Sequence, residues 1–282
     1  MTSTLVQRRR PHPSPPRPAD PHARARDWAE IQERMLVPLY EAVYERLDVG
    51  AGTRLLGLGC GSGLALLMAA GRGADACGVD TDEPRLALAR ERLADPVRLE
   101  LGGPESAGSG VRGGVTGGFT VVTAFEPLPA PVVGGPGGLD AAASSLTAAA
   151  ALTERGGAVV LAGWGPPERC ATSSVLRVGA RLADPMCAPG RWRPCGRDDL
   201  ETLAERAGLR PDGSGRVACP FGYADLDSAV RGLLSTGLFD AAERATDPTQ
   251  VRKEIAEALH PYQRADGTVW MPNVLRYLIA RA

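Results

Sequence analysis

The chain has 282 residues, 44% of them hydrophobic, with 32 basic against 33 acidic side chains and a formal net charge of -1. That is enough apolar material for a large buried core, and the even charge excludes a nucleic-acid binder that works through a globally basic surface. Six cysteines (Cys60, Cys77, Cys170, Cys187, Cys195 and Cys219) form no CxxC pair and three histidines add little to them, so no metal site is expected.

Residues 1–26 carry Arg8, Arg9 and Arg10 and a proline-rich run from His12 to Pro16, without the apolar stretch a secretory signal needs. They are expected to be a disordered, basic tail, and the cytoplasm is the expected compartment. From Asp27 the pattern turns helical. Trp28, Ile31, Met35, Leu36, Leu39, Val43 and Leu47 recur at three- and four-residue steps and form one apolar stripe.

The run Arg54-Leu55-Leu56-Gly57-Leu58-Gly59-Cys60-Gly61-Ser62-Gly63 follows, an apolar strand that flows into alternate glycines and then into the helical Leu64-Ala65-Leu66-Leu67. Glycines here allow positive φ and bring a ligand close to backbone, and the new helix offers unpaired N–H groups at its start. The next strand, residues 74–79, closes on Asp80, 21 positions after Gly59, where an acid can take ribose hydroxyls. Asp82-Glu83-Pro84 then reads as the cap and first turn of a helix that reaches Leu93. The unit is βαβα.

This segment resembles the class I (Rossmann-like) S-adenosylmethionine-dependent methyltransferases, whose glycines are spaced GxGxG as Gly59, Gly61 and Gly63 are here, more than the dehydrogenases with their GxGxxG. The resemblance covers residues 27–282 and implies a single domain with an α/β fold: a doubly wound, mostly parallel seven-stranded sheet, an antiparallel last strand and helices on both faces. It implies a lid helix over 27–50, a cofactor-binding core over 51–165 and a substrate-side half over 166–282. A helical cap comes from the N-terminus and from the segment between the last two strands. S-adenosylmethionine is the implied cofactor, held by Gly59, Cys60, Gly61, Gly63, Asp80, Thr81, Gly103, Pro104, Phe125 and Gln32. Trp28 and Tyr40 share the lid. Two departures stand out, because the family commonly has acids where this chain has Gly57 and Gly103. Each loss removes a charge-assisted contact, about 1.5–3 kcal/mol when buried. Glu105, Pro104 or the backbone is left to read the adenine.

Further along, strands are expected at 97–101 and 119–124, the second ending at Phe125-Glu126, and the six glycines of residues 107–118 point to a loop. A helix over 140–154, a Gly156-Gly157 stop and a buried strand over 158–162 come next, then Trp164. The Ala-rich stretch 141–152 is too short to span a bilayer. Residues 170–197 read as an insertion with Met186, Trp192, Cys187 and Cys195, the last two a candidate disulfide or reactive thiol pair; a helix over 197–207 follows. Residues 217–221 read as strand six and 274–280 as the last strand, with helices near 225–235, 238–244 and 248–258 between them.

Trp28, Glu126, Trp164, Met186 and Trp192 are the substrate-side candidates. His260, Glu126 and Tyr223 are the weak candidates for a base. Strand four runs into Phe125-Glu126-Pro127-Leu128 rather than the asparagine-proline-proline-aromatic signature of macromolecular amide methylation. The expectation is methyl transfer to a small molecule in bacterial specialised metabolism, with no nucleic-acid or membrane partner. Two alternatives stay open: a cofactor-binding fold put to a reaction other than methyl transfer, and a non-catalytic interaction protein.

Overall fold

The computed structural model describes residues 20–93, 97–109, 118–126, 138–184, 186, 196 and 198–282. Seven strands form the main sheet: β1 Arg54–Leu58, β2 Asp75–Asp80, β3 Arg98–Leu101, β4 Phe119–Ala124, β5 Thr153–Trp164, β6 Arg210–Ala218 and, last in the chain, β9 Val274–Arg281. Their spatial order is β3-β2-β1-β4-β5-β9-β6. The first five run parallel, and β9 is inserted antiparallel between β5 and β6, as the sequence leads one to expect. A strand order that reverses at β1 and β4 opens a crevice at the carboxyl ends of those strands, the usual ligand position in such sheets.

The central strands are apolar on both faces because both are covered. Leu55, Val121, Val160 and Ile279 belong to one buried core and Leu56, Val122, Val159 and Leu278 to the other, so adjacent residues point to opposite faces. The first core is covered by α2 Val37–Arg46, α3 Leu64–Gly71, α4 Glu83–Arg92, α7 Thr172–Ala183, α9 Leu226–Ser235, α10 Asp240–Ala245 and α11 Pro248–Leu259. The second is covered by α6 Gly138–Leu152 and α8 Asp199–Arg206. Side-chain caps start several of these helices: Asp82 accepts from Arg85 N–H, Asp225 from Ser228 N–H and Asp247 from Thr249 N–H. No described helix is long and apolar enough to cross a membrane.

Several expectations need correction. The N-terminal stripe is not one helix from Asp27. It starts as α1 Pro21–Asp27, capped by Asp20, passes through a π-helical turn Trp28–Gln32 and a 3-10 turn Glu33–Leu36, and becomes α-helical again only in α2. Pro38 accounts for the 3-10 turn, since it has no N–H to donate and its ring crowds the Arg34 carbonyl four residues back, which takes Val37 N–H instead. Part of the glycine-rich segment is helical, α5 Pro104–Ser109, while residues 110–117 lie outside the described ones. The supposed insertion contains α7, and strand six ends at Ala218, after which Cys219-Pro220 turns the chain into β7 Phe221–Tyr223. That strand pairs with β8 Val269–Met271 in a separate two-stranded sheet.

Candidate functional site

Between β1 and α3 the chain makes its turn on Gly59, Gly61 and Gly63, with φ of +59°, +57° and +82°. All three lie in the left-handed region that only glycine enters cheaply. Asp80 is buried at the tip of β2 and fixes the turn: one carboxylate oxygen accepts from Gly61 N–H at 2.7 Å, the other from Asp82 N–H at 2.8 Å. Each oxygen keeps a lone pair for a further donor. The motif and its acid are therefore joined, as their spacing implies.

The space above the turn is narrow, a cleft of about 20 Å³ edged by Trp28, Glu33, Gly59, Gly61 and Glu126. The irregular N-terminal segment fills the rest. A Cβ on Gly61 would lie 2.8 Å from Trp28 Nε1 and 3.1 Å from a Glu33 oxygen. The Glu33 carboxylate, 2% exposed, sits at the N-terminus of α3, where it accepts from Leu64 N–H at 3.3 Å and from the Ser62 hydroxyl. Arg92 locks it, donating to Glu33 at 2.6 Å and to Ser62 O at 2.8 Å. A helix N-terminus attracts anions, and here the anion is the chain's own. Buried Arg85 stacks its guanidinium 4.2 Å from the Trp28 ring and donates to Ser235 O at 2.7 Å. Gln32 is buried and accepts from Tyr223 OH at 2.9 Å.

Beside the turn, at the carboxyl ends of β1, β4 and β5, a cavity of about 590 Å³ opens. Leu58, Ala124, Leu161 and Trp164 form its floor, Trp28, Gln32 and Leu36 one wall, and residues 233–244 the rim with Arg244. Its size and largely apolar lining suit a small organic molecule. Glu126 edges both the narrow cleft and this cavity, with its carboxylate 3.8 Å from where a Cβ of Gly59 would be. Burial pushes the Glu126 carboxyl above its ordinary range, and Arg85 at 3.4 Å opposes that shift. Among the described residues it is the titratable one that lines both the cleft and the cavity.

The other expected residues are placed as follows. Cys60 is buried in the turn and burial pushes its thiol up, so it is a packing residue rather than a nucleophile. Phe125 is buried against Tyr40 and Tyr44, ring centroids 4.8 and 5.7 Å away. Pro104 is buried, Gly103 half-buried beside the Glu105 carboxylate, and Thr81 exposed. Trp164 lines the cavity, whereas Met186 is 92% exposed and no part of its wall. His260 is exposed at the end of α11 and away from the cavity lining, where a polar residue closing a helix is satisfied by water. Tyr223 is buried with its hydroxyl given to Gln32, and burial holds it well above the ordinary tyrosine range. Trp192, Cys187 and Cys195 lie outside the described residues. Sequence reasoning missed Glu33, Arg85, Arg92 and Thr172.

No protein-family model and no curated protein matches the chain. Solved structures do. A protein from Bacillus halodurans provisionally assigned as a methyltransferase is 16% identical, with 86% of this chain and 97% of that one aligned at a TM-score of 0.51. The class I methyltransferase fold is the fold of this chain. YjhP from E. coli aligns at 19% identity over 93% and 99% of the two chains, TM-score 0.50. A chain in a complex of the Haloferax volcanii Trm112 methyltransferase activator with a provisionally assigned methyltransferase aligns at 17% identity over 93% and 98%, TM-score 0.51.

Proposed function

We propose that the chain transfers a methyl group from S-adenosylmethionine to a small, mostly apolar acceptor. The observation that carries this is the junction of two features: a glycine turn bonded to Asp80, and an apolar cavity of about 590 Å³ that meets it at Glu126. The residues fit the cofactor in kind. Positive-φ glycines form a cradle that a Cβ would fill, Asp80 has lone pairs left for hydroxyls, and the start of α3 suits a carboxylate.

They fit in space only once Trp28 and Glu33 withdraw, so the segment from Trp28 to Leu36 acts as a lid that yields to the cofactor. A helix broken into π and 3-10 turns is a common place for such a hinge. When bound, the cofactor supplies a methyl carbon made electrophilic by its sulfonium. Trp28, Gln32 and Leu36 exclude water from the cavity, and the apolar wall orients the acceptor. Glu126 holds the acceptor's hydroxyl and receives its proton. A carboxyl pKa raised by desolvation makes Glu126 a stronger base than an ordinary glutamate. The single lysine, Lys253, among 32 basic residues supports a GC-rich bacterial source, and the apolar cavity suits specialised metabolism.

A second reading is favoured by Gly57, Gly103 and the filled cleft together: a protein of this fold that uses the cavity without methyl transfer. Incubation with S-adenosylmethionine and a panel of hydroxylated apolar acceptors separates the two. Formation of S-adenosylhomocysteine that depends on acceptor supports transfer; acceptor binding without it supports the second reading.

A further inference from the structure

Arg85, in the first turn of α4, brings a buried cation to Glu126. Its side chain is 8% exposed and is held on three sides. Nη2 donates at 2.7 Å to the Ser235 carbonyl, the guanidinium lies 4.2 Å from the Trp28 ring, and Nε stands 3.6 Å from an Asp82 oxygen. Ser235 is the last residue of α9, so its carbonyl has no partner further along that helix and a cation suits it. Ser235 and Asp82 both lie outside the lid, so Arg85 keeps two anchors when Trp28 withdraws. Its remaining nitrogen, Nη1, donates at 3.4 Å to Glu126 Oε1.

This makes the two oxygens of Glu126 unequal. Oε1 faces Arg85, whereas Oε2 lies toward the glycine turn, 3.8 Å from where a Cβ of Gly59 would be, and no described residue donates to it. We infer that Arg85 is the positioning residue of this site: it holds Glu126 by Oε1 and leaves Oε2 to take the acceptor's proton. The inference deepens the methyl-transfer reading and rests on it for the reaction. In that step the acceptor's O–H bond breaks as its proton passes to Oε2. The acceptor oxygen's electron pair forms the bond to the methyl carbon, and the pair of the breaking carbon–sulfur bond stays on sulfur. Charge supports the assignment. Burial, Asp80 and Asp82 all favour a protonated Glu126, which could take no proton, and Arg85 is the cation that opposes them. The other charged or titratable groups around the cleft and cavity are Glu33, paired with Arg92; Asp240, paired with Arg24; Tyr40, which burial keeps protonated; and Arg244 on the rim.

Nuclear magnetic resonance of the full chain, isotopically labelled at glutamate Cδ and at the arginine side-chain nitrogens, tests this without cofactor. Glu126→Gln identifies the Glu126 signal. Arg85→Gln should raise the pH midpoint of that signal, whereas a site merely loosened and wetted by the substitution would lower it. Should that variant fail to fold, the wild type gives the same answer. Its Arg85 Nη signals, assigned through the Arg85 backbone, should follow the Glu126 midpoint and lose it in Glu126→Gln. Added 2-naphthol, an apolar ring with one hydroxyl, should shift the Glu126 signal and leave the Arg85 signals in place. An unchanged or lowered midpoint in Arg85→Gln overturns the inference, as do Arg85 signals indifferent to Glu126. So does 2-naphthol that displaces Arg85 or leaves Glu126 unperturbed. If all three results hold but no acceptor yields S-adenosylhomocysteine, the pair stands and the methyl-transfer reading falls.

Discussion

Glu33→Gln tests whether the lid competes with the cofactor. The carboxylate holds Arg92 at 2.6 Å, Leu64 N–H at 3.3 Å and the Ser62 hydroxyl, and only 2% of its side chain is exposed. Breaking a fully buried ion pair costs about 3–5 kcal/mol. Arg92 is 27% exposed and keeps Ser62 O and Oγ at 2.8 and 3.0 Å, so the cost falls to about 1.5–3 kcal/mol. For a chain of this size that lowers the melting temperature by roughly 3–5 °C. The same loss opens the cleft. If closure excludes the ligand, apparent affinity rises by the factor by which closure weakens, about 10- to 100-fold. Thermal unfolding by circular dichroism and calorimetry with S-adenosylhomocysteine read the two effects. Lower stability with tighter binding is the expected result; lower stability with weaker binding refutes the reasoning and makes Glu33 part of the wall that holds the cofactor.

Gly61→Ala, placed at φ +57° with its new Cβ 2.8 Å from Trp28 Nε1, should cost about 2–3 kcal/mol by urea unfolding, and an unchanged midpoint would deny the close contact. Gly103→Asp restores an acid where the only close atoms belong to the movable Glu105 carboxylate, and should tighten S-adenosylhomocysteine about 10-fold by calorimetry. Glu126→Gln should lower kcat about 10²-fold, with KM little changed for an acceptor whose hydroxyl is the methylated group. Because burial raises the Glu126 pKa, the rate should fall as pH drops through a value above the usual carboxylate range. The folded state holds this proton more tightly than the unfolded one. Stability therefore declines as pH rises from the ordinary glutamate pKa to the raised one, and Glu126→Gln removes that slope.

The parts of the site that the sequence carried were local ones. Gly59, Gly61 and Gly63 lie on one turn, and Asp80 ends the strand beside it, so spacing alone joined them. Trp164 ends a long apolar strand and was legible for the same reason. Glu33 touches Ser62 from 29 positions away and Arg85 reaches Ser235 across 150, distances at which one chain offers no periodic signal. Glu33 falls between stripe residues Ile31 and Met35, and a regular helical stripe gives no reason to single it out; the π and 3-10 turns that bury it depart from that periodicity. Helix α7 was hidden by its Thr172-Ser173-Ser174 start and by Gly179, which it tolerates because Phe239 packs where a Cβ would be, 2.7 Å away. His260 and Met186 were named for their chemistry, and burial, which one sequence does not display, decided against them.

Calorimetric titration of the wild type and Asp80→Ala with S-adenosylhomocysteine tests the central claim most directly. Asp80 fixes Gly61 from the carboxyl end of β2, so the account predicts micromolar binding by the wild type and at least about 30-fold weaker binding by the variant. No binding by the wild type at millimolar ligand, or equal binding by both proteins, would contradict it.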